Sequence, residues 1–370
     1  MPAPTTPPDG VTLPLNLGLN DGTYMAESCV EVMKANCHRL ALRNYTTGDN
    51  SPLRAAIAEL DGVAPENVFL RNGSGPILKQ VVPHLIKTSI KASARRMAKH
   101  VWNKEGYPIV TPWFTYSKVP KKAAELGLTV RLVPLGPHND FTLDPAEIDA
   151  RLQKGDGFVY IANPNNPTGN VLVTREQMEP LFAKYPDTWF WIDEAYVQYV
   201  DPSEHTYFSD LVTTYPNLIV GRTMSFAYGL AGVRIGYMLA NPELVAEMDS
   251  QLTNYRLGTL AEELGVASLT DPDHLPWLRE ECARQRSYIR QSMAGLSGVE
   301  SFDSQTNFVL CRFTDGRTGE WLKAELAKRG ILIKTLASLA EANYEPYFRL
   351  TLGTQAENEF LMAHLAEVVG

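Results

Sequence analysis

Short apolar segments alternate with longer amphipathic ones through the first two thirds of this 370-residue chain. That alternation is typical of a domain in which strands of a mostly parallel sheet are joined by helices. The sequence therefore predicts an α/β fold with a mostly parallel, seven-stranded sheet. The predicted strands are residues 67–71, 107–111, 129–135, 158–162, 189–192, 217–221 and 235–240. A connecting helix is predicted at residues 174–184, with Thr174 as its candidate N-cap.

The pattern changes at about Asp271, where a long charged helix is predicted over residues 275–296. Three short strands and two helices follow, at residues 307–313, 331–334 and 348–352 for the strands. These elements predict a smaller α+β domain of ordinary size. We therefore expect an N-terminal arm that packs partly with the small domain (residues 1–40), a large domain (41–270) and a small domain (271–370).

The charge balance limits the class of partner. The chain has 34 basic and 42 acidic residues, a formal charge of −8, so it has no bulk attraction for nucleic acid or anionic membranes. No apolar run approaches the roughly 20 residues that a membrane span needs. The proline-rich start lacks the basic head and apolar core of a signal peptide. We expect a cytoplasmic protein with a small-molecule partner.

The four cysteines show no CxxC spacing, and a chain of this size does not need disulfides to build a core. We expect reduced thiols at Cys29, Cys37, Cys282 and Cys311. The pair Cys37 and His38 has no second ligand pair near it in sequence, so no metal site is predicted.

Polar motifs follow three of the predicted strands. Residues 163–169 (NPNNPTG) follow the strand at 158–162, residues 193–196 (DEAY) end the strand at 189–192, and a third motif occupies residues 221–237. Open α/β sheets bind ligands at the carboxyl ends of their strands. The first motif alone is also compatible with a structural turn. Three such motifs in succession indicate a ligand site.

In order and spacing, these motifs resemble those of the fold type I aminotransferases that use pyridoxal phosphate (PLP), and they look most like the histidinol-phosphate aminotransferase branch. The likeness runs from about Tyr45 to Gly236 and continues more weakly to Gly353. It implies a large α/β domain that carries the cofactor and a small domain that closes over the substrate.

The resemblance also implies roles for residues around the cofactor ring. Asp193 would pair with the pyridine nitrogen and keep it protonated. Asn166 and Tyr196 would hydrogen-bond the phenolic oxygen. Trp113 would stack on the ring, although a tryptophan in the protein core is an equally good interpretation of that position.

For the cofactor phosphate, the resemblance implies a cup made of Gly73, Ser74, Gly75, Thr223, Ser225 and Arg234. The two glycines allow close approach of the backbone at a helix N-terminus, and the arginine supplies a charge-assisted pair. Taken alone, residues 72–76 are equally compatible with a plain turn between strand and helix.

Two further residues carry implications for assembly and substrate. Tyr45 matches the tyrosine that reaches the phosphate of the neighbouring subunit, which implies a homodimer. Arg349 matches the arginine that binds the substrate carboxylate, which implies an amino acid or amine as substrate.

One position departs from the pattern. In the family that the motifs resemble, a lysine follows the serine directly and lies eight positions before the arginine; here Phe226 follows Ser225, eight positions before Arg234. The lysine binds the cofactor as a Schiff base and moves the α-proton. Phenylalanine can do neither, and acid–base catalysis alone is worth about 10²–10⁴-fold, so ordinary transamination should be crippled.

Several interpretations of Phe226 are open. It is an engineered inactivating change, or the mark of an enzyme that binds PLP or pyridoxamine phosphate (PMP) non-covalently, or the mark of a protein that binds another planar anion without PLP. It is also compatible with a side chain that only fills space in an inactive site.

Lys334 is compatible with the role of a surrogate base or, more simply, with that of a surface lysine. The basic residues of 87–104 are a contact surface or a solvated helix face. We expect an aminotransferase-like enzyme of amino-acid or amine metabolism, with a PLP-independent enzyme or a binding protein as the alternative.

Overall fold

The computed structural model of this chain describes residues 7–36, 49–92, 108–125, 127–152, 157–205, 207–251, 257–336 and 344–370. Tyr45, Cys37 and most of the basic segment at 87–104 lie outside these ranges, so the predictions made for them have no structural counterpart. Lys87 is described, and it lies exposed on a helix. No helix in the described ranges is both long enough and apolar enough to cross a membrane.

The described elements alternate as the sequence predicts. The strands are β1 (Leu15–Leu17), β2 (Val68–Arg71), β3 (Pro108–Trp113), β4 (Thr129–Pro134), β5 (Phe158–Ala162), β6 (Trp189–Asp193), β7 (Leu218–Thr223), β8 (Gly236–Leu239), β9 (Val299–Ser301), β10 (Phe308–Phe313), β11 (Ile331–Thr335) and β12 (Tyr347–Thr351). The helices are α1 (Glu27–Asn36), α2 (Ser51–Asp61), α3 (Ser74–Ala92), α4 (Lys118–Glu125), α5 (Pro145–Arg151), α6 (Arg175–Lys184), α7 (Pro242–Ser250), α8 (Thr259–Thr270), α9 (His274–Ala294), α10 (Gly319–Ala327) and α11 (Gln355–Val369).

The larger sheet has seven strands in the order β2-β8-β7-β6-β5-β3-β4. Strands β3 to β7 pair in parallel, and β8 is antiparallel to both β2 and β7. All five residues of β5 are buried, which explains its continuous apolar sequence. The prediction of an α/β fold with a mostly parallel, seven-stranded sheet is confirmed.

The smaller sheet has the order β1-β11-β12-β10-β9, and β1 joins it in parallel with β11. The N-terminal strand therefore packs with the C-terminal elements. Helix α1 packs instead against α8, where the Ser28 hydroxyl donates to the carbonyl of Ala267 at 3.1 Å. The N-terminal segment thus contacts both parts of the chain, and the domain boundaries at residues 40 and 270 stay a prediction.

The register of the large sheet brings the three motifs together. Ala162 at the end of β5 is the partner of Asp193 at the end of β6, and Asp193 is the partner of Gly221 in β7. Because the strands are parallel, their carboxyl ends lie at one edge of the sheet. The turn after β2, which leads into α3, reaches the same edge through β8, because Arg71 is the partner of Gly236.

Gly236 allows that turn to approach the sheet. A Cβ atom at residue 236 would collide with the backbone nitrogen of Ser74 and the backbone carbon of Gly73. These are backbone atoms, so the collision cannot be relieved by rotation of a side chain.

We predict that Gly236→Ala lowers the free energy of unfolding by about 1–3 kcal/mol, the usual cost of an overpacked site. Urea denaturation followed by circular dichroism measures this change. Gly232→Ala is the matched control, since a Cβ atom at residue 232 meets nothing within 4 Å. Equal stability of the two variants would show that the turn does not need the close approach.

Candidate functional site

A cavity lies at the sheet edge where the strand ends converge. It is lined by Ser74, Gly75, Leu78, Tyr116, Tyr160, Ala162, Asn166, Asp193, Ala195, Tyr196 and Phe226. Six of these residues were predicted as site residues from the sequence. Tyr116 and Tyr160 were not.

Asp193 is the last residue of β6 and is buried. The Tyr160 hydroxyl donates to its Oδ2 at 2.7 Å, and the Ala195 backbone N–H donates to its Oδ1 at 3.3 Å. Burial raises the pKa of the Asp193 carboxyl to about 6, although both hydrogen bonds lower it. No described lysine or arginine forms an ion pair with it, so the carboxylate is available to a ligand that carries a proton on nitrogen.

Tyr196 and Asn166 share a hydrogen-bond network with Arg349. The Tyr196 oxygen accepts from the side-chain amides of Asn20 at 2.9 Å and of Asn166 at 3.2 Å. Arg349 Nη1 donates to Asn166 Oδ1 at 2.7 Å. Burial raises the pKa of Tyr196 to about 12, while Arg349 and Asn20 lower it. The network therefore joins three predicted site residues to one that the sequence did not indicate.

Arg349 is buried, and its partners are neutral. Its Nη2 donates to the carbonyl of Gly18 at 2.8 Å, its Nε has no partner, and its guanidinium lies 5.1 Å from the ring of Phe308. Burial lowers the pKa of Arg349 to about 10. In the described part of the chain no carboxylate forms an ion pair with it. A buried guanidinium in this state suits an anionic ligand group.

Asn20 fixes the N-terminal segment in the site. Its backbone has φ of 61°, its side-chain oxygen accepts from the Thr351 hydroxyl at 3.0 Å, and its carbonyl accepts from the Asn307 amide at 3.0 Å. Asparagine tolerates left-handed backbone better than most residues. An asparagine in the sequence NDG after a short strand was the available signal, but nothing in the sequence placed it beside Tyr196.

The predicted phosphate cup is partly assembled. Helix α3 begins at Ser74, and Gly73 has φ of 100°, with an added Cβ only 2.5 Å from Arg234 Nη2. Arg234 is exposed, and its Nη1 donates to the Ala231 carbonyl at 2.7 Å. The structure thus brings Gly73, Ser74 and Arg234 together at a helix N-terminus.

Two of the three hydroxyl-bearing residues predicted for the cup, Thr223 and Ser225, are paired with each other. Thr223 Oγ1 lies 2.9 Å from Ser225 Oγ and 3.1 Å from the carbonyl of Ile235. Both side chains are buried, and neither lines the cavity. Their contact with an anion stays a prediction.

Trp113 lies differently from the position that its predicted stacking role suggests. It ends β3, contacts Tyr344 edge-on at 6.2 Å, and has its Nε1 buried without a partner. Tyr116, three residues later, lines the cavity in its place, and burial raises the pKa of Tyr116 to about 12. Trp113 does not line the cavity, so its stacking role stays a prediction.

Phe226 forms part of the cavity wall. Its ring stacks on that of Tyr196 with centroids 4.4 Å apart and planes 11° apart. Its carbonyl accepts from the Gly229 N–H at 3.0 Å, which closes a tight turn. At the position where the motif of the family has a lysine, this chain thus has an aromatic ring that lines the cavity.

Lys334 is the Cα partner of Arg349 across β11 and β12 and is exposed. Partial burial, followed by the charge of Arg349, lowers its pKa. Lys334 does not line the cavity, so its role as a surrogate base stays a prediction.

The described cysteines, Cys29, Cys282 and Cys311, are buried free thiols. No group of metal-binding side chains occurs in the described ranges.

A buried ion cluster lies next to Asp193 at the ends of β6 and β7. Arg222 on β7 donates to Glu194 Oε2 through Nε at 2.9 Å and Nη2 at 2.6 Å, and its Nη1 contacts Asp61. Glu194 also accepts from the Phe208 N–H at 2.9 Å. Burial raises the pKa of Asp61 to about 6 despite the arginine. The cluster holds the residue next to Asp193 in place.

We predict that Arg222→Met lowers the free energy of unfolding by about 3–5 kcal/mol, because two carboxylates stay buried without their cation. Losing the cation raises the pKa of the Asp61 carboxyl further in the folded state, so the variant gains stability as the pH falls. The defect in urea denaturation should therefore be larger at about pH 8 than at about pH 5.5. Lys122→Met, which removes an exposed pair with Glu125, is the control and should change little. A pH-independent defect would contradict this account.

Comparison with known proteins identifies the family of this chain. Residues 14–365 match the family described as aminotransferase class I and II. A histidinol-phosphate aminotransferase of Anaeromyxobacter sp. (strain Fw109-5) is 32% identical over 326 residues, 88% of this chain and 83% of the relative. That of Thermococcus gammatolerans is 31% identical over 357 residues, 96% of this chain and 92% of the relative.

Solved structures share the fold. The histidinol-phosphate aminotransferase of Clostridium acetobutylicum has a TM-score of 0.79 at 20% identity, covering 96% of this chain and 98% of its own. The enzyme of Sinorhizobium meliloti, in complex with pyridoxal-5'-phosphate, has a TM-score of 0.77 at 24% identity, covering 97% and 92%.

Proposed function

This chain belongs to the class I and II aminotransferase family, and we propose that it is an aminotransferase-like enzyme that holds PLP or PMP without a covalent bond. The observation that carries the proposal is Phe226, which occupies the lysine position between Ser225 and Arg234. Its ring forms part of a wall of the cavity that also contains Asp193 and Asn166.

The residues beside the cavity fit such a cofactor. Asp193, without an ion pair among the described residues, would accept the ring N–H, and Asn166 and Tyr196 would hydrogen-bond the phenolic oxygen. Arg234 and the N-terminus of α3 would hold the phosphate. When bound, PLP supplies an electron sink; the described side chains supply its orientation and charge.

The same site supports an amino acid or amine as substrate. Arg349 would bind a carboxylate, since its buried guanidinium has only neutral partners. We further propose a homodimer in which Tyr45 of one subunit reaches the phosphate in the other, and a small domain from residue 271 that closes over the substrate. Family membership supports the class of substrate. The homodimer and the closing domain rest on the sequence resemblance alone.

The alternative is a PLP-independent enzyme or a binding protein for another planar anion. The stacked pair of Phe226 and Tyr196 favours it, because two parallel aromatic rings form a flat surface where the family has an amine. Mass spectrometry of small molecules extracted from the native protein separates the two. Recovery of PLP or PMP supports the proposal, and recovery of an unrelated planar anion supports the alternative.

We predict that Phe226→Lys creates a covalent bond between protein and PLP, because Asp193 and Asn166 would hold the ring beside the new amine. The bond is measured as a mass increase of the intact protein after reduction with borohydride. Phe226→Leu, of similar hydrophobicity but without an amine, is the control and should show no increase. A lysine variant that binds no PLP would overturn the proposed function and favour the alternative.

A further inference from the structure

Tyr160 and Asp193 form a buried contact that the proposed function leaves unexplained. Tyr160 lies in the middle of β5, and Asp193 ends the adjacent strand β6. The hydroxyl donates to Asp193 Oδ2 at 2.7 Å. The Tyr160 side chain is fully buried, so its hydroxyl proton is committed to this carboxylate.

The hydrogen bond from Tyr160 occupies Oδ2 of Asp193 and leaves Oδ1 for a ligand. Oδ2 accepts from Tyr160, whereas Oδ1 accepts only a longer bond of 3.3 Å from the Ala195 N–H. A carboxylate oxygen has capacity for a second donor. Tyr160 therefore selects which oxygen stays open and fixes the plane of the carboxyl group.

The groups around Asp193 give Tyr160 an electrostatic role as well. Burial favours the neutral carboxyl, and Glu194 adds like charge, so both raise the pKa of Asp193. Only the hydrogen bonds from Tyr160 and Ala195 lower the pKa of Asp193, and the bond from Tyr160 has the larger effect. Tyr116 and Tyr196 also face the carboxylate, and burial keeps both protonated at neutral pH.

We propose that Tyr160 is a positioning residue that keeps Asp193 ionised and so makes retention of a protonated ring ligand depend on pH. This inference rests on the proposed function for its ligand but not for its geometry. In a lysine-linked enzyme the covalent bond would retain the cofactor regardless of this contact. Here Phe226 removes that bond, so non-covalent contacts have to hold the ring, and the ion pair to Asp193 is the one among them that depends on the charge of a carboxylate.

The first test needs no ligand. Carbon NMR of protein labelled at the aspartate carboxyl carbon follows each carboxyl group through a pH titration. Asp193 and Asp61 should titrate near pH 6, and Asp193→Asn should remove one signal and so assign it. In Tyr160→Phe the Asp193 midpoint should rise by about one to two pH units, the equivalent of a hydrogen bond to a charged group. The Asp61 signal should stay in place.

Tyr185→Phe is the matched control. The Tyr185 hydroxyl donates to Asp149 Oδ1 at 2.6 Å, away from the cavity, so this variant removes the same kind of bond. Its Asp193 midpoint should equal that of the wild type. An unchanged Asp193 midpoint in folded Tyr160→Phe would overturn the inference, whatever the ligand is.

The second test uses PMP as the probe, with affinity measured by calorimetry. Wild-type affinity should fall as the pH drops below about 6, because the protonated Asp193 carboxyl must release its proton to bind a cationic ring. In Tyr160→Phe the fall should begin at higher pH, and in Tyr185→Phe it should not move. Wild-type protein that binds no PMP at any pH would contradict the proposed function. The NMR titration would then decide the role of Tyr160 by itself.

Discussion

The parallel register of β5, β6 and β7 is the constraint on which the site depends. It sets Ala162 beside Asp193 and Asp193 beside Gly221, so three polar motifs far apart in sequence leave the sheet at one edge. The register is held by side chains that are almost entirely buried, and a slip of one residue would turn each side chain to the opposite face. The position of Asp193 is therefore as fixed as the core itself.

Two ionisable groups beside the cavity are buried without an opposite charge in the described chain. Asp193 lies at the end of the large sheet, and Arg349 lies on β12 of the small sheet. Neighbouring buried charges are different, since Arg222 is matched by Glu194 and Asp61. Burying an unpaired charge is costly, so the proposed ligand, which carries both a positive and a negative group, would stabilise both residues. A protonated ring bearing an amino acid has that distribution.

The sequence was sufficient for the strands of the large sheet and their polar ends, because these follow from local periodicity and motif spacing. It was insufficient for Asn20, Tyr160 and Tyr116. Asn20 reaches Tyr196 across 176 positions, and Tyr160 reaches Asp193 across 33, so only the tertiary fold reveals their contacts. Trp113 shows the same limit at short range. Its motif was recognised, yet which aromatic faces the cavity depends on where β3 ends and how the chain turns.

The parallel pairing of β1 with β11 has a consequence for how this chain comes into being. Leu15 pairs with Ile331, so β1 is synthesised more than 300 residues before its partner strand β11 exists. At about 5–20 residues per second, that interval is on the order of tens of seconds. The hydrogen bonds of Gly18 with Arg349 and of Asn20 with Tyr196 form only after that interval, because both residues closely follow β1. The large sheet can form around its own core during synthesis, but the site is completed only when β1 pairs with β11.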